Sequence, residues 1–377
     1  MNRTGEVQLS GPKRLRSVDI FRGITIAGMI LVNNQGSPHN IYYHLRHARW
    51  NQWSLADLVF PFFLFIVGVA VPFSFGNRLS HGESRKKLYI RIIIRTTILF
   101  GFGLFINSFP FFSVSDIRIP GVLQRIALCY FFSSLIVLKL RIRGQAATAA
   151  VLLIIYWVLM KFVPVPGYGA GMLTREGNLA AYIDNLLMHG HTLEPTWDPE
   201  GLLSTIPAIS TTLFGVLVGH LLCSSGNYMK KTTLLLISGI AGFTAGLIMD
   251  IWFPINKNLW SPSYVVFTAG IASICLGVCY WLVELKGYQR WGLPFVIYGT
   301  NAIVVYVLSS LAERLIYVWT LTQPDGSSIN LQTYIFKKLF APWASPANAS
   351  LFYALTHVLI WLGFAAILYR KRIFIKI

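Results

Sequence analysis

Between residues 33 and 65 the chain concentrates side chains able to handle protons and acyl groups. Asn33, Asn34 and Gln35 are followed by His47, Arg49, Trp50 and Asn51, and Leu55–Phe65 is an apolar run with Asp57 in its first turn. A charged side chain in hydrocarbon costs roughly 2.5–3.5 kcal/mol on insertion scales, so an aspartate in such a run marks an interior-facing position with a purpose. Near neutral pH an imidazole serves as a general base or a transient acyl acceptor, which makes His47 the first candidate. It needs a partner to fix its tautomer, and Asp57 is the obvious one. The plainer alternative is an interfacial histidine bonded to a backbone carbonyl. Asn34 and Asn51 are donors suited to a tetrahedral oxyanion, with Trp50 beside them to position substrate. His39 and His44 share the loop and are weaker candidates.

Four arginines fall inside apolar segments: Arg22, Arg91, Arg95 and Arg125. Arg22 lies one turn after Asp19, so an intrahelical pair competes with a ligand role. Arg91 is placed to snorkel to an interface. Arg95, Gln124 and Arg125 sit deeper, and forked guanidiniums facing one cavity suit phosphates or carboxylates. A third group is Trp197-Asp198-Pro199-Glu200, which reads either as a sugar-orienting surface or as a helix cap with Asp198 as N-cap. Lys257, Asn258, Trp260 and Asn301 add polar and aromatic groups to the same expected half; Asn301 also reads as interhelical glue. Cys275 and Cys279 are one turn apart, but no neighbouring ligand completes a tetrahedral set, so they read as buried small hydrophobes and no metal is expected.

Elements that could hold these residues follow from composition. The chain has 377 residues, 55% hydrophobic and 12% charged, with mean hydropathy +0.58; soluble chains carry about 25% charge. The expected fold is all-α: a polytopic transmembrane bundle of about ten spans, at 18–34, 55–76, 88–107, 119–139, 146–163, 202–222, 232–249, 262–283, 293–312 and 350–369. Leu315–Leu321 is too short to cross and reads as interfacial or a helix extension. The net charge of +18 is spread over span ends rather than gathered in one basic arm, which argues against nucleic acid. Most basic residues fall on one set of flanks, from Arg3–Arg16 through Arg85–Lys87 and Lys139–Arg143 to Arg370–Lys376, which places both termini in the cytoplasm. Segment 1–16 is then cytoplasmic, with no cleavable apolar leader, and the longer outer loops are 164–201 and 313–349. There is no clear internal repeat of the transporter kind.

Six motifs in order resemble one family. They are Arg16-Ser17-Val18-Asp19-Ile20-Phe21-Arg22-Gly23, the Asn33-Asn34 pair with His47-Ala48-Arg49-Trp50-Asn51, Ala56-Asp57-Leu58-Val59-Phe60-Pro61, Ile119-Pro120-Gly121-Val122-Leu123-Gln124-Arg125, Asp198-Pro199-Glu200-Gly201 and Asn256-Lys257-Asn258-Leu259-Trp260-Ser261. The match runs from about residue 14 onward and is similar to the catalytic domain of heparan-α-glucosaminide N-acetyltransferases and their bacterial relatives. The resemblance implies a single membrane-embedded acyltransferase domain over 1–377, in a bacterial-type cytoplasmic membrane. It would transfer acetyl from cytoplasmic acetyl-CoA to an amino sugar or glycan outside, with His47 as the essential histidine and Asp57 as its neighbour. Arg22, Arg95, Gln124 and Arg125 would meet acetyl-CoA; Trp197, Asp198, Glu200, Lys257, Asn258, Trp260 and Asn301 would meet the acceptor. The short first outer loop, and Ser309 and Ser310 where animal members are polar and carry histidine, point to a smaller acceptor than heparan sulfate. The other partner expected is membrane lipid, and a homodimer stays open. Two alternatives remain: an amino-sugar permease without covalent chemistry, and a membrane O-acyltransferase.

Overall fold

With no water in hydrocarbon to bond the backbone, apolar runs of this length must close their hydrogen bonds internally, and they fold as helices. The computed structural model describes residues 15–113, 115–323 and 326–375. Of the expected N-terminal segment, residues 1–14 lie outside the described residues.

Every expected span is helical. The helices are α1 (Arg16–Asn33), α2 (Leu55–Ser80), α3 (Arg85–Ser108), α4 (Val122–Lys139), α5 (Ile142–Phe162), α6 (Leu179–Met188), α7 (Thr205–Cys223), α8 (Tyr228–Asp250), α9 (Pro262–Tyr280), α10 (Leu293–Thr300), α11 (Ala302–Val318), α12 (Leu331–Leu339) and α13 (Pro346–Arg370). Eight among the described residues are long and apolar enough to cross a membrane, or nine if α10 and α11 form one span. The expectation of ten is corrected in two places. Charged Arg16, Asp19 and Arg22 lower the apolar character of α1, and the expected span 293–312 is bent by 81° between α10 and α11. Asn301, between them, has φ −125° and ψ 37°. Leu315 to Val318 extend α11, and Thr320–Thr322 then pairs with Ser328–Asn330 in a short hairpin.

The apolar windows of α2 and α7 are 72% and 61% buried within the chain, whereas that of α13 is 17% buried. Helices α2, α7 and α9 therefore form the centre, and α3, α5, α8 and α13 present apolar surface outward, as a multi-pass membrane protein requires. Contact between α2 and α7 is backbone-close. A Cβ on Gly68 would stand 2.0 Å from the Thr212 carbonyl oxygen, and one on Gly215 the same distance from that of Phe65. Small residues at such crossings let helices in lipid gain packing that apolar bulk alone cannot supply.

The expected outer loops gather at one end of this bundle. Trp50 Nε1 donates to the Leu173 carbonyl at 2.8 Å, Gln52 N to that of Ile255 at 3.1 Å and Ile119 N to that of His191 at 2.9 Å. At the same end, Tyr42 Oη donates to Asn348 Oδ1 at 2.5 Å, near the start of α13.

Candidate active site

Asp57 is the hub. It sits in the first turn of α2, completely buried, because Ser54-Leu55-Ala56-Asp57 starts the helix in the manner of a capping box. Its Oδ2 accepts from Ser54 N at 3.0 Å, Ser54 Oγ at 3.1 Å and Ala48 N at 3.0 Å. Its Oδ1 lies 2.8 Å from His47 Nδ1 and 3.4 Å from Lys257 Nζ. Tyr264 Oη from α9 donates to the Asp57 carbonyl oxygen at 2.5 Å, tying the helix start to the bundle centre. Three hydrogen-bond donors, the His47 ring and the Lys257 ammonium around one carboxylate offset the cost of burying its charge. The His47 side chain keeps 43% of its surface exposed, and its Nε2 has no hydrogen-bond partner among the described residues. Ten intervening residues fold back through the Asp57–Ala48 bond to bring the imidazole onto the carboxylate.

Lys257, expected at the acceptor, instead stands on this pair, with Nζ 3.0 Å from His47 Nδ1. The turn carrying it is held by Asn256, whose Nδ2 donates to Asn51 Oδ1 at 3.1 Å and whose Oδ1 accepts from Leu259 N at 2.9 Å. Asn51 thus positions the Lys257 turn, and Asn258 stands half-buried within it. Trp50 meets Trp197 edge-to-face at 5.2 Å, with the Arg175 guanidinium 5.6 Å from the Trp50 ring. That aromatic pair joins loop 35–54 to loop 163–204.

Asp198 and Glu200 converge on Arg118, which was not among the expected site residues. Arg118 Nε and Nη2 meet Asp198 at 2.8 and 2.7 Å, and Nη2 also bonds Glu200. Burial works against the Arg118 charge, but the two carboxylates outweigh it and raise the guanidinium further above its ordinary range. Asp198 does not cap α7, which begins at Thr205 behind Ser204; its carboxylate instead accepts from Leu193 N and Glu200 N, both at 2.8 Å. Arg125 is 1% exposed and donates to the Gly201 carbonyl at 3.0 Å and to Ser204 Oγ. Nearby, burial pushes the Asp184 carboxyl up to about 6, with the Leu202 amide opposing and the Asp198 charge adding.

Several expected ligand residues stand elsewhere. Trp260 is 1% exposed, with Nε1 donating to Thr211 Oγ1 at 3.1 Å and its ring against Phe60, Tyr264 and Arg125. It is a core residue with no face for a soluble acceptor. Asn301 is likewise buried, bonding the Ile373 carbonyl at 3.0 Å and the Ile375 amide at 2.9 Å. Those partners follow the end of α13, whose start meets loop 35–42. A 25-residue helix is about 37 Å long, so Asn301 belongs to the far end from His47 and is corrected from the expected half. Arg22 pairs with Asp19 at 3.2 Å and donates to the Gly299 carbonyl at 3.1 Å. The Arg95 guanidinium lies 4.5 Å over Tyr130, and Gln124 donates to the Ile119 carbonyl at 3.0 Å. The four expected donor-binding residues are therefore spread over α1, α3 and α4.

Asn34 closes α1 with Nδ2 on the Ile30 carbonyl at 2.7 Å, and its buried Oδ1 has no partner among the described residues. It lines a cavity of about 170 Å³ with Tyr306, Ser309, Ser310, Glu313 and Arg314. A larger space of about 680 Å³, lined by Asn107, Ser108, Asp116 and Tyr317, shares Glu313 and Arg314 with it. Neither acidic Glu313 nor Arg314 stood out in the sequence, because both sit near the end of an apolar run. No group of three or more histidine, cysteine or acidic side chains able to hold a metal occurs among the described residues.

The sequence model of the family described as "Heparan-alpha-glucosaminide N-acetyltransferase, catalytic" matches residues 14–232. Curated proteins named heparan-alpha-glucosaminide N-acetyltransferase are similar along almost the whole chain. The Mus musculus protein is 31% identical over 433 residues, covering 99% of this chain and 62% of its own length. The Homo sapiens protein is 32% identical over 430 residues, covering 97% of this chain and 60% of its own length. The chain thus spans about three fifths of these relatives. With its family match covering more than half of the sequence and containing both His47 and Asp57, this chain belongs to the heparan-α-glucosaminide N-acetyltransferase family.

Proposed function

We propose that this chain is a transmembrane acetyltransferase of a bacterial-type cytoplasmic membrane, moving acetyl from cytoplasmic acetyl-CoA to an amino sugar or related glycan on the outer side. The observation that carries the reading is the 2.8 Å contact between His47 Nδ1 and buried Asp57, on a ring that stays partly exposed. In the tautomer whose Nδ1–H bonds Asp57, Nε2 is the basic nitrogen. Nε2 then removes a proton from the acceptor amine as its nitrogen attacks the thioester carbonyl. The C–N bond forms, the C–S bond breaks, and the proton returns to the departing sulfur. In the alternative route Nε2 attacks the thioester carbonyl and the C–S bond breaks with departure of the CoA thiolate; the amine then attacks the acetyl carbon, the Nε2–C bond breaks, and the amine proton is taken up by the freed imidazole. Asn34, whose buried carboxamide lines the cavity beside α11, and Asn51 are the amides assigned to the reacting carbonyl. The basic flanks and Arg95 favour an anionic donor from the cytoplasmic face, and Trp50, Trp197 and Glu200 are assigned to the acceptor.

Incubation of the purified protein with acetyl-CoA and a panel of amino sugars, read by mass, tests the assignment. Expected is an N-acetylated sugar whose formation fails in His47→Ala; no product from any amine or hydroxyl acceptor sinks it. Labelled acetyl trapped on the protein without acceptor, and lost in His47→Ala, selects the carrier route.

A transport reading has one observation in its favour, the 81° break at Asn301, because discontinuous helices often build translocation sites. Here Asn301 at the break is bonded to the Ile373 carbonyl and the Ile375 amide. Sugar uptake into proteoliposomes without acetyl-CoA, unaffected by His47→Ala, would favour transport.

A further inference from the structure

One nitrogen of His47 has two partners with opposite demands. Nδ1 lies 2.8 Å from Asp57 Oδ1 and 3.0 Å from Lys257 Nζ. A carboxylate only accepts hydrogen bonds and an ammonium only donates them. If Nδ1 carries the hydrogen it bonds Asp57 and faces the lysine donor-to-donor. If Nδ1 is bare it bonds Lys257, and Nε2 carries the hydrogen and is not a base. Lys257 also reaches Asp57 Oδ1 at 3.4 Å, and its side chain is only 16% exposed, so water does not dilute the competition as it would at an open surface.

We propose that Lys257 is a positioning residue that sets the His47 tautomer and destabilises the cationic ring. Resting on the proposed use of His47 as base or acetyl carrier, this reading gives Lys257 a role distinct from acceptor binding. Asp57 alone would favour the imidazolium and hold its proton too long. An ammonium 3.0 Å away opposes that cation, so the ring returns the proton to the departing sulfur sooner, or passes on an acetyl group carried at Nε2. Among the described residues, the charged groups contacting the ring are Asp57 from α2 and Lys257 from the α8–α9 loop. On the ring's own loop, Arg46 is exposed and donates to the His39 and Ile41 carbonyls, and Arg49 is exposed. Arg175 from loop 163–204 bonds the Arg49 carbonyl.

Nitrogen-15 NMR of histidine-labelled full-length protein tests this without any turnover, so its outcome is separate from that of the acetyltransferase assay. The His47 signals are those missing in His47→Gln. Expected for the parent, above the imidazole midpoint, are Nδ1 and Nε2 shifts between the protonated and bare extremes, marking exchange of two tautomers. Lys257→Met moves the ring to the Nδ1–H tautomer and raises its midpoint by about one pH unit; the acid limb of kcat/KM moves with it. Lys257→Arg, which keeps charge and donors, stays near the parent. Lys257→Gln serves where Lys257→Met fails to fold. A pure Nδ1–H tautomer in the parent, or an unchanged tautomer and midpoint when Lys257 is neutralised, overturns the proposal, even if activity falls.

Discussion

At Asp57, two backbone amides, the Ser54 hydroxyl, the His47 ring and the Lys257 ammonium converge on one buried carboxylate, so its charge is tolerated. Asp57→Asn keeps the size and an acceptor oxygen but loses the charge that orients Nδ1–H. For the proposed acetyl transfer we expect kcat to fall by about 10²–10⁴, the usual contribution of a positioned acid–base group, with KM for the proposed amino-sugar acceptor little changed. A KM effect alone would return Asp57 to a purely structural part. Ser54 is the companion that sequence could have named, since a serine three residues before an aspartate ahead of an apolar run is a helix-start signal. Lys257 could not have been paired with His47 this way, because 210 residues separate them.

Among the elements, loop 163–204 is fastened by charge rather than by apolar packing alone. Arg118→Met strands Asp198 and Glu200 as buried or nearly buried carboxylates, and we expect a loss of about 3–5 kcal/mol, as when one partner of a buried pair is removed. Thermal unfolding in detergent reads this directly. Asp184 predicts the opposite direction. Its carboxyl is raised from the ordinary 3.8 to about 6, so the fold favours its protonated form. That contribution is fully present below about pH 4 and is lost as pH rises through about 6. Asp184→Asn keeps an acceptor for the Leu202 amide and should melt at a higher temperature than the parent at pH 7–8, the gap closing below pH 4. A gap independent of pH would assign the effect to packing. Between α2 and α7, Gly215→Leu would drive a side chain into the Phe65 carbonyl, and the folded yield should collapse without any change to a residue of the site.

Over the whole molecule, the loops that basic residues assign to one side do meet at one end, and the candidate site lies among them. The proposed orientation makes a direct prediction. A cysteine replacing exposed Tyr168 should react with an impermeant maleimide in intact cells, and one replacing Lys86 only after permeabilisation. The reverse pattern would invert the arrangement and place His47 on the cytoplasmic face.

Hydrophobic run length, flanking charge and the ordered motifs made the helical bundle, its spans and the His47–Asp57 pair legible from sequence, because span length and charge cost in lipid act locally along the chain. The bend at Asn301, the burial of Trp260 and the capture of Asp198 and Glu200 by Arg118 were not legible. Each depends on which helix ends come to lie side by side, and side-chain type carries no record of that. Asn301 reads the same in sequence whether it faces a glycan or the chain's own tail. Only packing α13 lengthwise along the bundle, with its start by loop 35–42 and its end by Asn301, decided between them.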